Sequence, residues 1–365
     1  MNFKPELLPN NKAGEPLDIE TVIANPREWL YSNKLDGARV EIFGIGPAKG
    51  RSLKVIPNVH IQRMVKDIQL ILQLPECVVI EAEFYSPDMN FAEIMHFFRS
   101  EDVTSDKSVK KYEALMRNNK WPFPGRDVKW ATSWHKSLKL HVFNVVNIAM
   151  GDTTFLERKL YADMIFFGYE TKMNEKNNTN SKFPSIDINK LELDMIQIVH
   201  RGFEHIDNLY QAYDQAILDG YEGLVVRNLN ALYKQGRQTL KSNTVYKLKN
   251  DDVEFDGVIL SVEEGTVARE GAQKTVNELG RSKTSQLKED RVLSGMAKGF
   301  KVRMDDGREL TVSLKGYDHE DRKNLLRNPT DFVGETIRFT GMLPVKPGGV
   351  PRHAHYTKGN IRDAK

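Results

Sequence analysis

A single cysteine, Cys77, stands in a chain of 365 residues, so neither an intramolecular disulfide nor a cysteine-based zinc site is available. Long apolar runs are missing too: none approaches the roughly 18 residues that cross a bilayer. Met1-Asn2-Phe3-Lys4-Pro5-Glu6 lacks the apolar core of a signal peptide. These absences point away from a membrane and toward a reducing cytosol. Net charge is also scarce, because 53 Lys and Arg against 50 Asp and Glu leave only +3. That balance permits a polyanionic partner without arguing for one, since nucleic acid responds to a basic face rather than a basic total. No internal repeat is found. What the chain does have is length, enough for two domains and a sizeable core.

Ser32 to Arg39, Ser-Asn-Lys-Leu-Asp-Gly-Ala-Arg, is the stretch around which the rest is organised. Lys34 precedes an Asp-Gly turn between Trp29-Leu30-Tyr31 and Val40-Glu41-Ile42-Phe43, two apolar runs expected to pair as a hairpin with Lys34 at its mouth. A lysine held on rigid backbone and partly desolvated loses some preference for its charged form, and a neutral amine is a nucleophile. A surface hairpin with an exposed lysine would carry the same pattern.

Downstream, Lys49 to Lys54 forms a basic turn, and Ile61, Met64, Val65, Ile68, Ile71 and Leu72 recur at helical spacing. In Cys77 to Tyr85, alternation puts Val78, Ile80, Ala82 and Phe84 on one strand face and Glu81 and Glu83 on the other. Phe91 to Arg99 reads as a helix. The polar stretch from Ser100 to Lys139 gives no clean period and reads as an insertion containing a helix. Leu138 to Ile148 is a strand candidate, and a helix from Thr153 is expected to stop at Gly168. Lys172 to Lys182 reads as a solvated loop, and Ile206 to Leu218 as a helix stopped by Gly220. Glu222-Gly223-Leu224-Val225-Val226-Arg227 is a β-rich run, and Val245-Tyr246-Lys247-Leu248-Lys249 alternates so that both lysines face one way.

From Asn250 the texture changes to short strands separated by glycines, and a second, all-β domain is expected. Gly299 to Met304 and Glu309 to Leu314 form a hairpin around Asp305-Asp306-Gly307. Gly265 to Lys298, with Arg269, Lys274, Arg281, Lys283 and Lys288, has no apolar period and reads as a mobile loop, either gripping a polyanion or merely solvated. A helix over Asp318 to Arg327 and a strand over Phe332 to Leu343 complete what looks like a barrel of about five strands.

With Lys34-Leu35-Asp36-Gly37 and Arg39, then Glu81-Ala82-Glu83-Phe84, Glu222 to Arg227, and Lys247-Leu248-Lys249, the chain resembles the covalent nucleotidyltransferases. It is most similar to the small two-domain ATP-dependent DNA ligases of the bacteriophage type. The resemblance implies an α+β fold: an ATP-grasp-like nucleotidyltransferase (adenylation) domain of antiparallel sheets with flanking helices over residues 1–249, then an all-β OB-fold DNA-binding barrel over 250–365. It implies that Lys34 attacks the α-phosphate of ATP, that AMP passes to a 5′-phosphate at a nick, and that the neighbouring 3′-hydroxyl displaces it. Lys247 and Lys249 would neutralise phosphate charge. Arg39 and Arg51 would contact the nucleotide, Glu83 the ribose hydroxyls, Phe143 the adenine and Glu222 the metal or the lysine. Magnesium, held by Glu222 and Glu83, is the expected ion, since carboxylates and phosphate oxygens are hard ligands. The Gly348 to His353 and Ile361 to Asp363 segments resemble the family's terminal basic motif, with Arg352, Lys358 and Arg362 as candidate DNA contacts. The expected partner is nicked duplex DNA, bound by a monomer in the cytoplasm, a host's if the source is viral.

Bland readings stand beside these. Arg39 could pair with Glu41, and Glu81, where the family usually has aspartate, reads as the wet face of an edge strand. Phe143 could be core, with Asn144 where the family shows aspartate, and Arg227 replaces a lysine. An RNA ligase or an mRNA-capping guanylyltransferase would use the same lysine chemistry, and a non-catalytic nucleic-acid-binding protein would leave it idle. The absence of a zinc site speaks against the NAD-dependent ligases.

Overall fold

The two strands that flank Lys34 do not pair with each other; each joins a different sheet. In the computed structural model the described residues are 3–9, 19–123, 125–134, 137–177, 197–200, 204–205, 208–249, 253–272, 274–278, 282–285, 287–342 and 349–358. The chain divides into two compact units, Met1–Asn250 and Asp251–Lys365. The first opens with β1 (Glu6–Leu7), α1 (Ile19–Ala24), β2 (Trp29–Lys34), β3 (Ala38–Phe43), β4 (Lys49–Gly50), α2 (Val59–Leu72) and β5 (Val78–Tyr85). It continues through α3 (Phe91–Arg99), α4 (Asp106–Arg117), α5 (Val128–Ser133), β6 (Lys139–Asn147) and α6 (Phe155–Asn177). Last come β7 (Gln197–His200), β8 (Glu204–His205), α7 (Leu209–Leu218), β9 (Gly223–Asn228), β10 (Gly236–Arg237) and β11 (Val245–Lys249).

One sheet runs β4-β3-β5-β6-β7 and a second β11-β9-β2-β8, while β1 and β10 form a small parallel pair. The expected hairpin gives way because each strand has its own core to cover. Trp29 packs with Leu224, Val226, Tyr246 and Leu248, whereas Val40 and Ile42 pack with Ile68, Ile80 and Ala82. Gly37 makes the switch between sheets: a Cβ there would lie 2.3 Å from the Phe84 carbonyl oxygen. The sheets are not wholly antiparallel, since β6–β7 and β1–β10 pair in parallel. β7 follows the helix α6, and a helical crossover returns a chain in its original direction.

The apolar stripe of α2 is buried as its spacing predicts, and Asn58 caps it, accepting from the His60 and Ile61 amides. The polar stretch after Ser100 holds two helices, α4 and α5, rather than one. Their only buried residues are Tyr112 and Ala131, and Tyr112 belongs to an aromatic cluster with Phe97, Trp121, Phe123, Trp130 and Trp134, so no regular stripe was there to read. α6 runs through Gly168 to Asn177, because an interior glycine costs about 1 kcal/mol, too little to stop a long helix. The loop expected from Lys172 is therefore helical as far as Asn177, and its remainder lies outside the described residues.

In the second unit β12 (Val253–Ala268), β13 (Lys274–Val276), β14 (Ser282–Thr284), β15 (Arg291–Met304), β16 (Glu309–Lys315), α8 (His319–Arg327), β17 (Thr336–Met342) and β18 (Arg352–Thr357) follow in order. Five of them close a barrel, β12-β15-β16-β18-β17, over Ile259, Phe300, Val302, Val312, Phe339 and Tyr356. The polar stretch from Gly265 is not a featureless loop. β12 and β15 stay paired there, with Thr266 opposite Leu293 and Ala268 opposite Arg291, and β13 pairs with β14. Val267, Val276, Val292 and Leu293 on this ribbon are exposed, which removes the alternation that marks a half-buried strand. The last strand of the barrel, β18, lies in the segment read only as a basic motif, and β17 begins at Thr336 rather than Phe332.

Candidate active site

The face of the β11-β9-β2 sheet opposite Trp29 and Tyr246 carries Lys34, Lys247 and Lys249. Lys34 lies opposite Gly223 and Gly223 opposite Lys249, with Ser32, Val225 and Lys247 in the next row. Directly opposed residues share a face, so the three lysines flank a position that has no side chain. Gly223 is obligatory there: its φ is +140° and a Cβ would stand 2.0 Å from the Leu248 carbonyl oxygen. The adjacent Glu222 is fixed by its amide, which donates to the Lys34 carbonyl at 3.0 Å, and Lys34 Nζ donates to Glu222 Oε2. Both side chains are less than one-fifth exposed, at 18% and 16%. The Lys247 pKa is lowered by burial first and then by Lys34, Lys249 and Arg237. Such crowding of cations is costly until an anion arrives.

The polar face of the other sheet carries Arg39 opposite Glu83, Glu41 opposite Glu81 and Glu83 opposite His141. A bulge after Glu81 leaves Phe143 as the extra residue of β6, and the Arg39 guanidinium sits 5.1 Å from the Phe143 ring centroid. Arg39 does pair with Glu41, at 2.7 Å, but it also donates to Glu81 Oε1 at 2.6 Å and to the Glu6 carbonyl at 2.7 Å. Glu81 is not on a wet edge. It is 1% exposed on a strand with β3 and β6 on either side, and it accepts further bonds from Tyr233 Oη at 2.9 Å and Asn144 Nδ2 at 2.7 Å. Burial pushes the Glu41 carboxyl up to about 8, Arg39 pulling against it and Glu81 adding to it.

Arg51 has its pKa lowered by burial, then by Arg237 and Arg39, with Glu83 opposing. Lys34, Lys249 and Arg237 thus act on Lys247, and Arg237 and Arg39 act on Arg51, so a chain of neighbours links the six cations, with Glu222 beside Lys247 and Glu83 beside Arg51. Arg227 is buried rather than presented; it forms an ion pair with Glu6 and lies 5.0 Å from the Phe155 ring centroid. Among the described residues no three His, Cys, Asp or Glu are gathered to hold a metal. Carboxylates such as Glu222 and Glu83 are of the kind magnesium takes, one or two at a time, completing its shell with phosphate oxygens and water.

In the second unit, Arg352 lies on β18 opposite Met342. Lys358 donates to Asp321 in the first turn of α8, and Arg362 lies outside the described residues. Sequence reasoning missed Glu6, Asn144 as a donor, Arg158, Tyr233 and Arg237. Arg237 carried a signal, a cation beside a glycine between the two last motifs. The others are separated too widely in sequence to be grouped without the fold.

Residues 13–249 match the family model of the ATP dependent DNA ligase domain. No curated protein matches the chain. A solved structure named Pmar-Lig_PreS3 is 17% identical with a TM-score of 0.57, over 97% of this chain and 67% of that one. A structure from a structure-function study of Lig E DNA ligases, on DNA binding with a minimal scaffold, is 16% identical with a TM-score of 0.54 over 97% of each chain. The ATP-dependent DNA ligase of bacteriophage T7, complexed with ATP, is 14% identical over 97% of each chain, with a TM-score of 0.45. At these identities the first two likenesses speak for the fold.

Proposed function

The chain belongs to the ATP-dependent DNA ligase domain family, and from that premise we propose that it seals 5′-phosphate/3′-hydroxyl nicks in duplex DNA through an AMP carried on Lys34. The observation that carries this reading is the Lys34–Glu222 pair beside Lys247 and Lys249 on one sheet face. Lys34 Nζ forms a P–N bond to the α-phosphorus of ATP as the bond to pyrophosphate breaks, and Glu222 is placed to accept the proton the amine gives up. A 5′-phosphate oxygen then attacks the AMP phosphorus and frees Lys34. The 3′-hydroxyl attacks the activated 5′-phosphate, and AMP leaves. Lys247 and Lys249 oppose the charge that develops on phosphate oxygens, where fixed cations in a half-dry site act more strongly than in water. Arg39, Arg51 and Glu83 hold the nucleotide. Arg39 occupies one face of Phe143, so adenine stacks on the other. Bound magnesium would neutralise phosphate charge, with Glu222 and Glu83 as its protein ligands.

We read residues 1–249 as the adenylation domain and 250–365 as an OB-type barrel that meets DNA. Its strand order, first-second-third-fifth-fourth, with α8 between the third and fourth, supports the five-stranded Greek-key barrel of that class. Arg352 and Arg362 are assigned to the duplex, as are Arg269, Lys274 and Lys288 on the ribbon; Lys358 would first have to leave Asp321. No helix among the described residues is long and apolar enough to cross a membrane, and we assign the protein to the cytoplasm as a monomer.

The test is incubation with α-labelled ATP or GTP and magnesium, denaturing electrophoresis and mapping of the label. ATP label on Lys34 that discharges onto nicked DNA supports the reading. Label from GTP alone points to capping chemistry, discharge only onto RNA ends to an RNA ligase, and no label from AMP-free protein to a binding protein.

A further inference from the structure

The family match begins at residue 13, yet a residue from before it touches the candidate site. Glu6 on β1 is 3% exposed, and a carboxylate is almost never so buried unless it is paired. Its side chain accepts from Arg227, from Gln238 Nε2 at 2.7 Å and from the Lys234 amide at 3.4 Å. Burial alone would raise its pKa, but Arg227, the Gln238 bond and Arg158 bring it below the usual value. The main chain of the same residue serves the other sheet. Its carbonyl accepts from Arg39 Nη1 at 2.7 Å, and its amide donates to Tyr233 Oη at 3.0 Å, the hydroxyl that donates to Glu81. Glu6 thus bridges Arg227 on β9 and Arg39 on β3. Docking the segment does not require the charge, for Phe3 and Leu7 are buried already and Phe3 packs against Phe43 and Tyr233 at ring distances of 5.7 and 6.0 Å.

We propose that Glu6 is a positioning residue for ATP binding: its carboxylate, tied to Arg227 and Gln238, sets the carbonyl that holds the Arg39 guanidinium in its nucleotide-facing orientation. The proposal rests on the reading of Lys34 as the adenylylated residue. In that role a change at Glu6 acts on nucleotide affinity more than on the chemical step at Lys34.

The experiment is single-turnover labelling of Lys34 by ATP in the full chain, comparing wild type with Glu6→Gln, which keeps the shape and removes the charge. The expected result is a rise of about tenfold or more in the ATP concentration for half-maximal rate, with the maximal rate changed less than about threefold. In an Arg39→Lys background the same change should add little, because the residue it acts through is already altered. Should Glu6→Gln not fold, Glu6→Asp, which keeps the charge but shortens the reach, is expected to show the same split. An unchanged half-saturating concentration overturns the proposal, and so does a fall in maximal rate and melting temperature with affinity intact, which would make Glu6 an anchor only. No label on the wild type would overturn the reading of the whole site; a labelled wild type with an indifferent Glu6→Gln overturns only the role of Glu6.

Discussion

Asn144 Nδ2 donates to Glu81 Oε2 at 2.7 Å, and the bond exists only because one partner is an amide. Glu81 and Asn144 lie opposite each other on β5 and β6. Asn144 also accepts from Arg158 Nε at 3.1 Å, so both ends of the amide are used.

Asn144→Asp would set two buried carboxylates against each other. Folding stability should fall by about 3 kcal/mol at neutral pH. One of the paired acids would then have a folded pKa above its unfolded value, so the loss should shrink as pH falls toward the unfolded range. Urea unfolding at pH 7 and pH 5 checks this; equal losses at both would argue against the pairing.

Glu41 supplies a second pH dependence. Its folded pKa of about 8 lies above the 4.5 of an ordinary glutamate carboxyl. The stability it contributes is therefore complete below about pH 4.5 and is lost as pH rises to about 8, at up to about 1.4 kcal/mol per unit. Glu41→Gln mimics the protonated form and should flatten that slope. Melting curves of both proteins from pH 5 to 9 decide it, and parallel curves would count against a raised Glu41.

Lys34→Arg should keep the ion pair with Glu222 and leave melting within about 1 kcal/mol of wild type, because only the nucleophile is changed. Covalent label from ATP should vanish while affinity for nicked DNA persists. Residual label at another lysine would move the nucleophile elsewhere.

Lys247→Ala should slow labelling by about 100-fold or more, the size typical of removing one charge-stabilising donor. It should not destabilise the fold, since it relieves repulsion from Lys34, Lys249 and Arg237. The rate and the melting temperature should move in opposite senses, and a joint fall would mean that Lys247 is structural.

Gly223→Ala tests the backbone at the centre of the three lysines. With φ at +140° and no room before Leu248, the change should cost about 1–3 kcal/mol. It should also abolish labelling by displacing Glu222. Wild-type labelling in this variant would show that the close approach is not needed.

Local chemistry determined much of this protein by itself. The burial of α2, the alternation of β5 and β11, the capped α8 and the Asp305-Asp306-Gly307 hairpin all follow from periods and turn residues that act over a few positions. Lys34, Glu222, Lys247 and Lys249 were legible for the same reason, as they lie in short motifs on or beside strands. Tertiary structure alone decided where the two strands around Lys34 went, because alternation shows that a strand has an apolar face but not which core that face will cover. It alone decided that Glu81 is buried, since strand position in a sheet depends on neighbours far along the chain. And it brought Glu6 to Arg227 across 221 residues, since a buried ion pair is selected by the low dielectric that the assembled fold creates around it, and that surrounding does not exist until the sheets have met.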